Sequence, residues 1–297
     1  MTEKRRATTL AEYGEKAGTL FAVAAQGGKP YEPRATDVII SPFAKCGTTW
    51  LQQMFHTLRT RGDMDFDDIS RVVPWLETSP GLGIDLNADQ RGEPRGYKSH
   101  HNWHTLPRGP KYIVSIRDPG DAMVSMYRFM EGWFLEPGAI PIAEFTRTIY
   151  MSDPAKGYWG HLNSWWEHRH DETVLLLSYE GMQQHPEKTI GRVAEFCGIT
   201  LDDELLEITL KHTSLPFMLE YKDRFDDAML RTLSETVADL PGGSDSAKVR
   251  EGKVGGHVSE LSDEILEELD TIWQTHILPV TGFASYAALE AALQRGE

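Results

Sequence analysis

Apolar positions along the chain fall into short runs that alternate with longer stretches of helical period. A β-branched run closes at Asp37-Val-Ile-Ile40, and the next stretch, Thr49 to Arg61, carries Trp50, Met54, Phe55 and Leu58 at helical spacing. Gly96-Tyr-Lys98-Ser99-His100 reads as a short strand ending in polar side chains, and Lys111 to Ile116 and Val174 to Ser178 read as buried strands. Helical patterns cover Asp118–Glu131, Ile142–Met151, Tyr158–His168, Pro186–Cys197, Asp203–His212 and, behind an N-cap at Ser262, Asp263–Thr275. The first 35 residues read as a helix and an irregular arm, and 62–94 as a turn-rich segment that helps shape a ligand site. Residues 241–257, rich in Gly with Ser, Asp and Lys, read as a mobile loop. Strands alternating with helices predict a three-layer α/β fold, a parallel central sheet flanked by helices, in a single domain over 1–297.

Composition narrows the function. A chain of 297 residues that is 40% hydrophobic suits one α/β domain with a sizeable core. Cys46 and Cys197 cannot build a disulfide framework, and the charged start Glu3-Lys-Arg-Arg6 has no apolar run behind it, so a cytoplasmic setting is expected. No window approaches the roughly 18 apolar residues of a membrane span. A formal charge of −15 argues against a nucleic-acid partner. An acidic protein that binds a polyanionic small molecule must gather its cations locally, which singles out Lys45, Lys98, Arg117 and Arg250.

Candidate chemistry centres on Ser41-Pro-Phe-Ala-Lys45-Cys46-Gly47-Thr48-Thr49-Trp50, between a strand and a helix. The first N–H groups of a helix lack intrahelical partners and the macrodipole is positive there, so a strand, tight loop, Lys and helix N-terminus together predict a phosphate cradle. It is not a Walker A loop, because Lys45 precedes Gly47 and the upstream Gly is missing. Arg117-Asp-Pro119 follows a strand, with Pro119 in the first helical turn and Arg117 at the carboxyl end where open α/β sheets bind ligands. His100 and His104 have the i, i+4 spacing of a metal pair, but no carboxylate or Cys stands nearby and Pro107 opposes a long helix, so no metal is expected.

These segments, in this order, resemble the cytosolic-type sulfotransferase family. Its loop reads Pro-Lys-Ser-Gly-Thr-Thr-Trp, its second motif Lys-Thr-His and its third Arg-Asn-Pro-x-Asp-x-x-x-Ser. Tyr179-Glu180-Gly-Met182 is similar to its Tyr-Glu-Asp-Met region, and Arg250-Glu251-Gly252-Lys-Val-Gly255 to its Arg-Lys-Gly-x-x-Gly loop; the likeness spans about 35 to 275. The resemblance implies a 3′-phosphoadenosine 5′-phosphosulfate (PAPS) co-substrate, no metal, and a small hydroxyl-bearing acceptor, an alcohol or phenol. Lys45 would neutralise the leaving phosphate, held also by the N–H groups of Gly47, Thr48 and Thr49 with Cys46 in the same loop. His100 would be the general base, and Lys98 would stabilise the transferring sulfuryl group. Arg117, Ser125, Arg250 and Gly252 would hold the 3′-phosphate, while Trp50, Tyr179, Thr213 and Met218 would surround the adenine.

Departures from the family pattern stand at Ala44, Cys46, Leu215, Glu251 and Gly256-His257, and its dimer segment is not recognisable. Trp75, Trp103, Trp133 and Phe134 suggest an apolar acceptor pocket. The alternatives are a Mg²⁺-dependent P-loop kinase or nucleotidase, opposed by the missing G-K-[ST] order and the presence of His100, and a non-catalytic nucleotide-binding module. The acceptor and the oligomeric state are not legible.

Overall fold

The computed structural model describes residues 4–243, 248–250, 252 and 254–296, so part of the loop expected between 241 and 257, including Glu251, lies outside the described residues. Four strands, β1 (Val38–Ile40), β2 (Gly96–Lys98), β3 (Lys111–Ile116) and β4 (Val174–Ser178), form one sheet. Their order is β2-β1-β3-β4 and every pairing is parallel, with Ile40 opposite Lys98 on one side and Ile113 on the other. The strands read as continuous apolar runs because helices cover both faces. Ile39, Tyr97 and Val114 pack into a cluster with Trp159 and Trp165. Val38, Ile40 and Ile113 point the other way, onto Leu51, Met54 and Phe55.

The helices that matter for the site are, in chain order, α1 (Leu10–Ala24), α2 (Thr48–Thr60), α3 (Pro119–Glu131), α4 (Gly157–Trp166), α5 (Tyr179–Gln184) and α6 (Pro186–Cys197). They continue as α7 (Asp203–His212), α8 (Leu215–Glu220), α9 (Ala228–Val237), α10 (Asp263–Ile272) and α11 (Tyr286–Arg295). The pattern expected at Ile142–Met151 is α-helical only to Phe145 and then widens into a π turn over Thr146–Tyr150. The helix expected over Asp263–Thr275 likewise passes into a π turn at Trp273–Ile277.

The arm before β1 is tied down by charge. Asp37, wholly buried, receives Arg95 Nε at 2.9 Å and Nη2 at 2.7 Å and the Tyr31 hydroxyl at 2.7 Å. This two-pronged pair joins the start of β1 to the start of the edge strand β2. Among the described residues no helix is long and apolar enough to cross a membrane.

Candidate active site

Three strand ends and one loop converge at the carboxyl edge of the sheet. β1 leads into the Lys45 loop and α2. The backbone turns left-handed at Lys45 (φ 69°) and again at Gly47 (φ 98°), the N-cap of α2, where no side chain caps the free N–H groups. Gly47 is required twice over: its φ is left-handed, and a Cβ there would sit 3.0 Å from the Tyr179 ring and 3.3 Å from Ser115 Oγ. Ser115 donates its hydroxyl to the Cys46 carbonyl, which ties the loop to β3. The Cys46 thiol is buried and pushed up to about 12, so it stays neutral beside the cradle.

Lys45 rests its ammonium on the Phe129 ring, 4.2 Å from the centroid. Burial, with Lys248, Arg117 and Arg250 nearby, pulls it down to about 7. Arg117, at the end of β3, donates to the Lys45 carbonyl at 3.1 Å and lies 4.4 Å over the Tyr179 ring. Ser125 follows, half-buried, on α3. Tyr179 opens α5 and meets Trp50 edge to face at 5.7 Å, and Trp50 Nε1 is buried without a partner. Gln183 donates to the Gly252 carbonyl at 2.5 Å and to the Tyr179 hydroxyl at 3.4 Å, which brings Gly252 to this corner. Arg250 is exposed. Thr213 spends its hydroxyl on the Thr209 carbonyl at 2.7 Å, and Met218 is packed into the core beneath Trp50.

The edge strand β2 supplies the other side. His100 Nδ1 lies 2.8 Å from the Pro42 carbonyl. A carbonyl only accepts, so Nδ1 carries the proton and Nε2 presents its lone pair. Burial first, then the Lys98 charge, hold the imidazole well below its usual range, so it is neutral at neutral pH. Its ring meets Trp75 edge to face at 5.1 Å, and Glu77 receives the His100 N–H at 3.3 Å and the Ser99 hydroxyl. Lys98 sits 3.7 Å over the Trp75 ring and pairs with Asp227 at 3.1 Å; both are buried. Sequence reasoning did not anticipate Asp227 or its second partner, Lys248. They stand 129 and 150 residues from Lys98, and no local motif marks them.

Of the aromatic residues expected at an acceptor pocket, Trp75 lies beside His100, and Trp133 and Phe134 belong to a cluster with Phe129. Trp103 is placed elsewhere: it stacks on His168 at 4.0 Å and packs against Tyr112 and Trp165, because the chain turns away after β2. Gly256-His257, the weakest part of the motif pattern, makes a clasp. Asp121 receives Gly255 N–H at 2.7 Å, His257 N–H at 3.1 Å and His257 Nδ1 at 2.8 Å. Gly120 admits it, since a Cβ there would come within 2.7 Å of the His257 ring. Asp118, Asp121 and His257 bring metal-type donor atoms within 4.8 Å of one another, and Asp118 also caps α3 through Asp121 N–H at 3.1 Å.

A strand, a left-handed loop with Lys, an uncapped helix N-terminus and a second strand ending in Arg define a nucleotide-dependent transferase of the α/β class. The family model of the sulfotransferase domain matches residues 35–281, and the chain belongs to the cytosolic-type, PAPS-dependent sulfotransferase family. That membership replaces both the kinase and the non-catalytic readings. The chain is 29% identical over 266 residues to dog sulfotransferase 1B1, covering 84% of this chain and 86% of the relative. It is 32% identical over 213 residues to mouse sulfotransferase 1B1, covering 67% and 71%, and 27% identical over 282 residues to firefly (Photinus pyralis) luciferin sulfotransferase, covering 82% and 72%. Among solved structures, retinol dehydratase in complex with androsterone and 3′-phosphoadenosine 5′-phosphate (PAP) shares the fold at TM-score 0.67 and 19% identity, over 90% of this chain and 85% of that one. Mouse sulfotransferase SULT7A1 complexed with PAP does so at 0.65 and 18%, over 95% and 94%.

Proposed function

We propose that this enzyme transfers the sulfuryl group of PAPS to the hydroxyl of a small, apolar alcohol or phenol, with His100 as general base. The observation that carries the donor reading is a convergence of charge. In a chain of net charge −15, Lys248, Arg117 and Arg250 lie close enough to Lys45 to disfavour its charge, beside an uncapped helix N-terminus. Among the described residues no carboxylate pairs with the Lys45 ammonium, which rests on an aromatic ring. Such a concentration of cations favours a polyanion as its partner.

The placement supports the following roles. The N–H groups of Gly47, Thr48 and Thr49 hold the 5′-phosphate and Lys45 neutralises the charge that builds on its leaving oxygen. Arg117 and Ser125, with Arg250 and Gly252 from the capping segment, address the 3′-phosphate by charge-assisted hydrogen bonds. Trp50 stacks on the adenine and the Tyr179 hydroxyl hydrogen-bonds it, with Thr213 and Met218 near the base. At the other edge, His100 Nε2 takes the acceptor's hydroxyl proton while Lys98 stabilises the sulfuryl group in transit. Trp75, beside His100, and Phe129, beneath Lys45, give that side its apolar character.

The test pairs binding with transfer. PAP should raise the melting temperature more than AMP or ATP at equal concentration, and labelled PAPS should pass its sulfuryl group to at least one member of a panel of phenols and alcohols. Equal stabilisation by PAP and AMP would overturn the 3′-phosphate assignment. Selective PAP binding with transfer only to amines would overturn the hydroxyl acceptor.

A further inference from the structure

Between the two halves of the site lies a buried carboxylate that the transfer chemistry does not itself require. Asp227, at the N-terminal end of α9, is 2% exposed and holds a left-handed backbone (φ 51°) without being glycine. That conformation is disfavoured for most side chains and tolerated best by Asp and Asn. Its Oδ1 receives the Ser70 hydroxyl at 3.1 Å. Its Oδ2 receives Lys98 at 3.1 Å and also Lys248. The neighbouring Asp226 receives the Lys248 backbone N–H at 3.0 Å, so Lys248 is gripped by side chain and main chain at once. Lys248 stands two residues before Arg250 and four before Gly252, and Lys98 two before His100.

Two ammonium groups on one carboxylate leave a surplus positive charge. A buried pair of one Lys and one Asp would cancel; this trio does not, so Lys98 is aimed by its partner and still able to meet an anion. We propose that Asp227 is a positioning residue of the transfer site, aiming Lys98 on the edge strand and anchoring Lys248 at the root of the segment that bears Arg250 and Gly252, so that the acceptor-side and donor-side cations are set in place together. The assignment rests on the sulfotransferase reading of those cations.

The charged groups around the trio are Lys45 from the phosphate loop, His100 from the edge strand, Glu77 beneath it, Asp68 beside Ser70, Asp226 and Arg231 from the start of α9, and Arg250 from the capping segment. Burial and Lys248 pull Lys98 down, to about 7, while Asp227 pulls it up. Removing Asp227's charge therefore lowers Lys98 further, and removing Lys248's charge raises it. A merely structural role gives no such opposition of sign.

The experiment is PAP binding by calorimetry across the neutral pH range, on wild type, Asp227→Asn, Lys248→Met and the double variant. Asn keeps the left-handed turn and the size of the side chain, and Lys248→Met leaves the Lys98–Asp227 pair intact, so a folding failure in one variant does not remove the other. Each single change should weaken PAP about tenfold or more. The double variant should lose clearly less than the product of the two, because they share one bridge. The alkaline fall in the rate of sulfuryl transfer from PAPS, the step assigned to Lys98, should move to lower pH in Asp227→Asn and to higher pH in Lys248→Met. Selective PAP binding by wild type with multiplicative losses, or with shifts of the same sign, would overturn the positioning role alone. A wild-type chain that does not bind PAP would overturn the donor reading and this proposal with it.

Discussion

Replacing Asp121 by Asn should release the capping segment from α3 and weaken PAP accordingly. The carboxylate is 4% exposed and accepts three hydrogen bonds, Oδ2 from Gly255 N–H and Oδ1 from the His257 N–H and Nδ1. An amide can present an oxygen to only one of those two sides, so its NH2 must face at least one N–H donor. A hydrogen bond to a charged group contributes about 1.5–3 kcal/mol, and at least one such bond is lost outright. At about 1.4 kcal/mol per factor of ten, docking of residues 254–259 weakens by roughly ten- to a hundredfold, and PAP affinity should fall within that range if docking is needed for binding. The effect carries a pH signature. Its hydrogen bond to Asp121, together with the Asp118 charge, raises His257 above its usual value. The clasp is therefore fully present below the ordinary histidine range, near 6.5, and is lost as pH rises through the raised value. Amide exchange at Gly255 and His257, followed with and without PAP at about pH 6 and 8, reads this directly. Wild type should be better protected at the lower pH, and Asp121→Asn should be poorly protected at both. Unchanged protection in the variant would refute the clasp, and unchanged PAP affinity with lost protection would show that the segment caps nothing.

His100→Ala should lower transfer by about a hundredfold or more while PAP affinity stays close to wild type, measured by turnover and calorimetry; His101→Ala should stay active, and the reverse result would move the base by one residue. Lys45, pulled down to about 7 by burial and its cationic neighbours, is charged only below that value, so PAP affinity should fall as pH rises through neutrality; Lys45→Met should bind weakly at low pH and lose that component of the fall. Arg95→Ala strands the buried Asp37 carboxylate and should cost about 3–5 kcal/mol in denaturant unfolding; a loss under 1 kcal/mol would mean water reaches that carboxylate.

The strand, loop and helix around Lys45 were legible because their signals are local: a β-branched run, a glycine and a helical stripe, all between Asp37 and Arg61. The strand and helix flanking Arg117 were legible for the same reason, with Pro119 marking the helix start. Contacts assembled by the fold were not. The Asp227 bridge joins Lys98 to two residues over a hundred positions further on, and α9 begins at a left-handed Asp with no side-chain cap, so nothing local announced it. Trp103 was grouped with Trp75 on composition, whereas its partners Tyr112 and Trp165 lie on the opposite face of the sheet from Ile40. The π turns escaped because a helical stripe does not distinguish i+4 from i+5 bonding.

The edge position of β2 divides the labour of change within this enzyme. The interior strands β1 and β3 lead into the Lys45 loop and Arg117, which are assigned to the nucleotide, and a substitution in either strand disturbs two neighbours and both faces of the sheet. The strand bearing Lys98 and leading to His100 has one partner, β1, and is reached through the long turn-rich stretch from 62 to 94. Insertions, deletions and exchanges in that stretch reshape what stands beside the imidazole and leave the cradle for the donor untouched. On the proposed placement of the acceptor beside His100, acceptor preference is free to drift between descendants of such a chain while the donor stays constant.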